Sequence, residues 1–124
     1  MNNIFTDKMK IKFQDAILDY FEAFSRKDSE SLETFFSEDV MLVDWNVNLS
    51  GKIKVMAEIR KIFDSTISIK VTPKSFYANS DYSYAIHISI LFNDKIYIEV
   101  IDVIEFDFKG KILMIKAFKF ENIY

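Results

Sequence analysis

From Ser65 onward the hydrophobic period of the chain changes from about 3.6 residues to two, and this switch constrains the fold more than any other feature. In "DYSYAIHISILFND" the residues Tyr82, Tyr84, Ile86, Ile88, Ile90 and Phe92 alternate with smaller or polar ones. Such alternation describes a strand with one face buried and the other turned outward. Ile67, Ile69 and Val71 begin the pattern, and "NDK" at 93–95 is a hairpin turn. "IYIEVIDVIEF" follows from Ile96, "DFKGK" at 107–111 is a second turn, and "ILMIKAFKF" is the last strand. Four successive strands joined this tightly form an antiparallel meander.

Before Ser65 the period is helical. Over residues 8–26, Phe13, Ala16, Ile17, Tyr20, Phe21 and Phe24 share one face. "KDSESLETFF" predicts a short second helix capped by Asp28 or Ser29, with Leu32, Phe35 and Phe36 apolar. "VMLVDWN" at 40–46 reads as a strand, and residues 52–64 as a third helix, capped near Ser50, that groups Met56, Ile59, Ile62 and Phe63. Three helices with one early strand, then four strands, make an α+β domain with helices on one face of the sheet. No linker or repeat divides it, so residues 1–124 read as a single domain. With only two Gly and one Pro, periodicity alone marks the elements, and thirteen Phe supply a core without disulfides.

Several function classes are excluded. The chain has no Cys, which rules out thiol redox chemistry and thiolate metal sites. Sixteen basic and nineteen acidic residues are mixed, with no single-signed block for nucleic acid. "MNNIFTDKMK" lacks the apolar core of a signal peptide, and no run approaches the roughly 20 apolar residues of a membrane span. A cytoplasmic protein without a membrane partner is expected.

Two carboxylates interrupt apolar strand faces. Asp44 follows Val40, Met41, Leu42 and Val43 and precedes Trp45. In the strand from Ile96 to Asp107 the even face holds Ile96, Ile98, Val100, Asp102, Ile104 and Phe106, with Asp102 its only polar group. A buried carboxylate must be paired, protonated or used. A structural acceptor is the commoner outcome for any one such Asp, and a Tyr such as Tyr20 on a core stripe is ordinary. Together they matter only if the fold makes them converge.

The segments "YFEAFSRKDSESLETFFSEDVMLVDW" and "VIDVIEFDFKGKILMIKAF" resemble the nuclear transport factor 2-like superfamily, which includes SnoaL-like proteins and ketosteroid isomerase. The resemblance covers nearly the whole chain. It implies a cone: a strongly curved antiparallel sheet packed on three N-terminal helices (a nuclear transport factor 2-like or cystatin-like fold) around a deep apolar pocket. Matching to ketosteroid isomerase places the general base at Asp44 and the oxyanion donors at Tyr20 and a protonated Asp102. The pocket would also be lined by Phe24, Trp45, Val100, Ile104 and Phe118. Trp45 stands where that enzyme has Pro, either roofing the pocket or filling it.

The resemblance thus implies a small apolar ligand and an isomerase or cyclase acting on a small carbonyl compound, with no cofactor and no metal. The alternative is a non-catalytic ligand-binding or dimeric interaction module, favoured if aromatic side chains fill the cavity. Epoxide hydrolysis is disfavoured, because it needs an Arg between two Asp, and Arg26 and Arg60 read as outward. His87, the only His, falls on the odd strand face, away from the pocket. Family members commonly dimerise through the convex sheet face. Here Tyr97, Ile101 and Val103, with Leu113, Ile115 and Ala117 on the next strand, are expected to form it in a homodimer.

Overall fold

A computed structural model describes residues 12–121. Helix α1 spans Gln14–Ser25 and buries Ile17, Tyr20 and Phe21. The proposed start at residue 8 lies outside the described residues, as does the N-terminal stretch read against a signal peptide. Phe13 is the N-cap residue rather than part of the helical stripe. Its ring stacks on Phe106, with centroids 4.4 Å apart, and pins the start of α1 to the sheet.

One turn ends α1 and starts α2, Ser29–Phe35. Lys27 takes the left-handed conformation (φ 56°), its N–H bonds the Phe24 carbonyl, and the Asp28 N–H bonds the Ala23 carbonyl. This is the Schellman arrangement, formed here without the usual glycine. Asp28 then caps α2 by accepting from the Ser31 N–H (3.1 Å) and hydroxyl (2.7 Å).

Strand β1 is Phe36–Val43 and β2 is Asn48–Ser50. Asp44 therefore lies just past the strand, not within it, and β2 is an element that the sequence pattern does not predict. Helix α3, Lys52–Asp64, is capped not by Ser50 but at Gly51, which has φ 95° and no side-chain cap bond. Only glycine adopts that φ without strain, and it lets the Gly51 N–H reach the Val40 carbonyl at 2.8 Å.

The meander comprises β3 (Ile69–Ser80), β4 (Ser83–Phe92), β5 (Ile96–Phe106) and β6 (Ile112–Lys119). Three residues, 93–95, join β4 to β5: Asn93 and Asp94 both have positive φ, and the Lys95 N–H bonds the Phe92 carbonyl at 3.0 Å. β3 runs well beyond Val71, because Pro73 and two bulges break its alternation but not its pairing, and an edge strand tolerates both. The six strands lie in the order β2-β1-β6-β5-β4-β3. β1 pairs with β6 in parallel, so the expected antiparallel sheet is a mixed one.

On β5, Val100, Asp102, Ile104 and Phe106 are buried as the alternation requires. The faces of β6 are the reverse of the expectation. Asp102 pairs with Ala117 and Ile104 with Ile115, so Ala117 and Ile115 point inward, while Met114, Lys116 and Phe118 share the outer face with Val103 and Ile101. No helix among the described residues is long and apolar enough to cross a membrane.

Candidate functional site

Asp102 sits mid-strand on the inner face of β5, opposite Ile86 of β4 and Ala117 of β6. The short Ala117 side chain leaves open the space beside the carboxyl group that a larger residue would occupy. Tyr20 reaches the same space from α1, its ring held by tilted and edge contacts to Phe21, Phe24, Phe35 and Phe36 at 5.4–6.4 Å. Tyr20 is 5 % and Asp102 8 % exposed. Among the described residues neither the Tyr20 hydroxyl nor the Asp102 carboxyl has a hydrogen-bond partner, and no fully enclosed polar side-chain atom lacks one. Both groups therefore open onto free space.

That space is a cavity of about 120 Å³, and Asp44 lines it with Tyr20 and Asp102. The half-buried Asp44 closes the turn between β1 and β2. Its Oδ1 accepts from the Asn46 N–H (2.7 Å) and the Val47 N–H (2.9 Å), and its own N–H bonds the Val47 carbonyl (3.0 Å). This is an Asx-type turn, which orients the carboxylate through one oxygen and leaves Oδ2 for a ligand. The remaining wall is apolar: Phe24, Trp45 and Val100 line it as expected, joined by Leu42, Ile59 and Ala117.

Electrostatics singles out Asp102. Burial, with the Asp44 charge as a second cause, pushes Asp102 up from 3.8 to about 7. Burial, and behind it the Asp102 charge, raises the Tyr20 hydroxyl far above its ordinary range, so it remains a donor at any working pH. The site thus holds an oriented carboxylate, a phenol, and a second carboxyl that exchanges its proton near neutrality.

Two expected lining residues are elsewhere. Ile104 is fully buried in the core, because the β5 inner face lines the cavity at Ile98, Val100 and Asp102 and has passed it by Ile104. Phe118 is 57 % exposed, because its pairing with Ile101 turns it to the outer face, where it borders a shallow groove beside Trp45. Trp45 is 46 % exposed at the rim, with the Lys119 ammonium 5.7 Å from its ring, so it roofs the cavity and does not fill it. Val55, Ile59 and Ile62 from α3 were not anticipated as lining, although Ile59 and Ile62 lie on the apolar stripe that marks this helix.

His87 is on the outer face. Its Nε2 is 2.7 Å from Glu99 Oε1, a bond that lowers the Glu99 carboxyl, and its ring stacks on Phe120. Arg26 pairs with Glu22 and Arg60 with Glu33, and neither lines the cavity. Among the described residues no three His, Cys, Asp or Glu side chains are grouped to hold a metal ion.

Known proteins place this geometry in a family. Residues 14–99 match the SnoaL-like domain family, and the chain belongs to it. No curated protein matches the sequence. Among solved structures it is similar to SalBIII, an epoxide hydrolase/cyclase-like enzyme of pyran ring formation in the polyether salinomycin (TM-score 0.77, 16 % identity, 89 % of this chain and 92 % of that one). It is also similar to a SnoaL-like protein of unknown function from Burkholderia thailandensis (0.77, 14 %, 90 % and 97 %). A third is a Sinorhizobium meliloti protein provisionally designated a polyketide cyclase (0.74, 13 %, 83 % and 93 %). At these identities the likeness establishes the nuclear transport factor 2-like fold.

Proposed function

We infer that this SnoaL-like domain binds a small, largely apolar carbonyl compound and moves a proton on it, as an isomerase or cyclase does. The observation that carries this reading is the convergence of Asp44, Tyr20 and Asp102 on one open apolar cavity. Asp44 Oδ2 removes a proton from the carbon next to the carbonyl. The developing oxyanion takes hydrogen bonds from the Tyr20 hydroxyl and from Asp102 in its protonated form. Asp44 then returns the proton to the same or a conjugated carbon. The apolar wall excludes water and strengthens each of these interactions.

The cavity volume bounds the substrate. An apolar protein cavity of about 150 Å³ accommodates benzene, so about 120 Å³ suits one six-membered ring and excludes a fused polycycle from the enclosed part. Cyclohex-2-enone is the matching probe. Tyr20→Phe keeps the ring contacts and removes one donor while Asp102 remains. Exchange of the acidic protons of cyclohexenone into deuterated water, followed by NMR, is expected to slow by about a hundredfold, the low end for loss of one oxyanion donor.

The same reading includes a homodimer built on the outer sheet face, where Ile101 and Val103 of β5 lie beside Met114 and Phe118 of β6. The domain should sediment as a dimer at micromolar concentration. Ile101→Glu, which brings like charges together near the two-fold axis, should yield a folded monomer. A wild-type monomer at that concentration contradicts the arrangement.

A further inference from the structure

Next to the candidate site lies a second, half-open chamber of about 40 Å³, here called the inner chamber, to which Phe21 of α1, Val71 of β3 and Ile88 of β4 contribute. The two chambers share Tyr20, Phe24, Ile90 and Asp102 as a common wall, and Asp44 lines only the larger one. The only polar side chains on the common wall are therefore Tyr20 and Asp102, each more than nine-tenths buried and without a hydrogen-bond partner among the described residues. A ligand group at that wall must be an acceptor, since a phenol and a protonated carboxyl both donate. Beyond it, the inner chamber offers only apolar side chains. Its volume exceeds the roughly 10–15 Å³ needed for one water-sized probe and suits a group of two or three heavy atoms.

We propose that the two chambers form one bilobed site for an unsymmetrical ketone, with its oxygen at the common wall, a ring-bearing arm in the outer chamber and a short alkyl arm in the inner one. This rests on the reading of the site given above and adds the substrate class and the regiochemistry. Asp44 reaches only the outer chamber, so the proton it removes comes from the ring-bearing arm. The C–H bond breaks and its proton goes to Asp44 Oδ2. The bonding pair becomes the C=C bond of the enolate, and the carbonyl π pair moves to the oxygen held by Tyr20 and Asp102. In deuterated water the Asp44 carboxyl exchanges its proton for a deuteron and returns it to the same carbon, which restores the ketone. Carbon on the inner arm has no base within its chamber.

The test uses cyclohexylacetone, whose ring-side CH2 and terminal CH3 have comparable intrinsic acidity because neither is conjugated. Proton NMR in deuterated water should show exchange of the CH2 at least tenfold faster than of the CH3, after subtraction of the rate without protein. In the series methyl, ethyl, isopropyl and tert-butyl cyclohexylmethyl ketone, affinity should hold through ethyl and collapse at tert-butyl, read by the fluorescence of Trp45, the single tryptophan. Ile88→Phe, or Val71→Leu if that variant does not fold, should slow exchange of cyclohexylacetone at least tenfold more than exchange of cyclohexenone. Equal exchange on both arms overturns the proposal, as does indifference to the alkyl arm or cyclohexenone turnover without any for the ketones. Absence of binding and exchange with every probe, cyclohexenone included, overturns the reading of the site itself.

Discussion

Asp44→Asn should lower the rate of cyclohexenone proton exchange by about 10²–10⁴-fold, the usual contribution of a positioned general base. The substitution isolates the base, because the turn uses Oδ1 as an acceptor for the Asn46 and Val47 N–H groups and an Asn carbonyl can do the same. The turn, Trp45 and the cavity wall therefore stay in place. Only Oδ2 changes, from a carboxylate oxygen to an NH2 that cannot accept a proton. Removing the Asp44 charge also removes one of the two causes that raise Asp102, so its carboxyl should titrate lower in the variant. Retained enone affinity with lost exchange is the expected pattern, read by Trp45 fluorescence and NMR. Exchange equal to wild type contradicts the assignment of the base.

Asp102→Asn should change the pH dependence of stability by about 4 kcal/mol. The folded-state value of about 7 lies above the ordinary 3.8, so between those values the folded chain binds a proton that the unfolded chain releases. The favourable contribution is fully present below the unfolded value and is lost as pH rises through about 7. A difference of about three pH units corresponds to about 4 kcal/mol. Urea unfolding at a series of pH values from about 4 to 8 should show wild type losing this amount relative to the Asn variant. A constant difference between the two proteins over that range would place Asp102 in a more polar setting than the structure does. The same titration bears on activity: only the protonated form donates to an oxyanion, so kcat/KM should fall as pH rises above about 7.

How far the fold was legible in the sequence follows from what each residue encodes. Alternation from Ser83 to Phe106 records one buried face directly, so β4, β5 and the placement of Asp102 could be read. The Lys27-Asp28 step was legible because an N-cap Asp has a chemical signature. β2 has three residues and no pattern of its own; it exists because the Asp44 turn folds it back on β1. The parallel pairing of β1 with β6 joins segments some seventy residues apart, which no local period contains. The inverted faces of β6 have a single cause. The five-residue turn sets Phe106 opposite Ile112, even against even, and the register shift between Glu105 and Phe106 then aligns odd positions of β5 with even positions of β6. A slip of one residue exchanges the two faces of a strand. That parity moved Ala117 into the cavity and Phe118 out of it.

The site was legible only in part, for similar reasons. Tyr20 and Asp102 lie on regular elements, whose periods placed them inward. Asp44 was misread as a strand residue, although "DWNV" contains the signal of its true role: an Asp followed two and three residues later by backbone N–H groups it can bond. The inner chamber draws on α1, β3 and β4 together and leaves no mark in any one segment.

The central claim is that a carbonyl oxygen binds between Tyr20 and Asp102, and it is tested most directly by carbon NMR of cyclohex-2-enone labelled with ¹³C at the carbonyl. Two donors polarise the C=O bond, so the bound resonance should move downfield saturably. The displacement should shrink in Tyr20→Phe and vanish in the Tyr20→Phe/Asp102→Leu double variant. A bound resonance at the position of the free enone, or a downfield displacement that survives the double variant, would contradict the account.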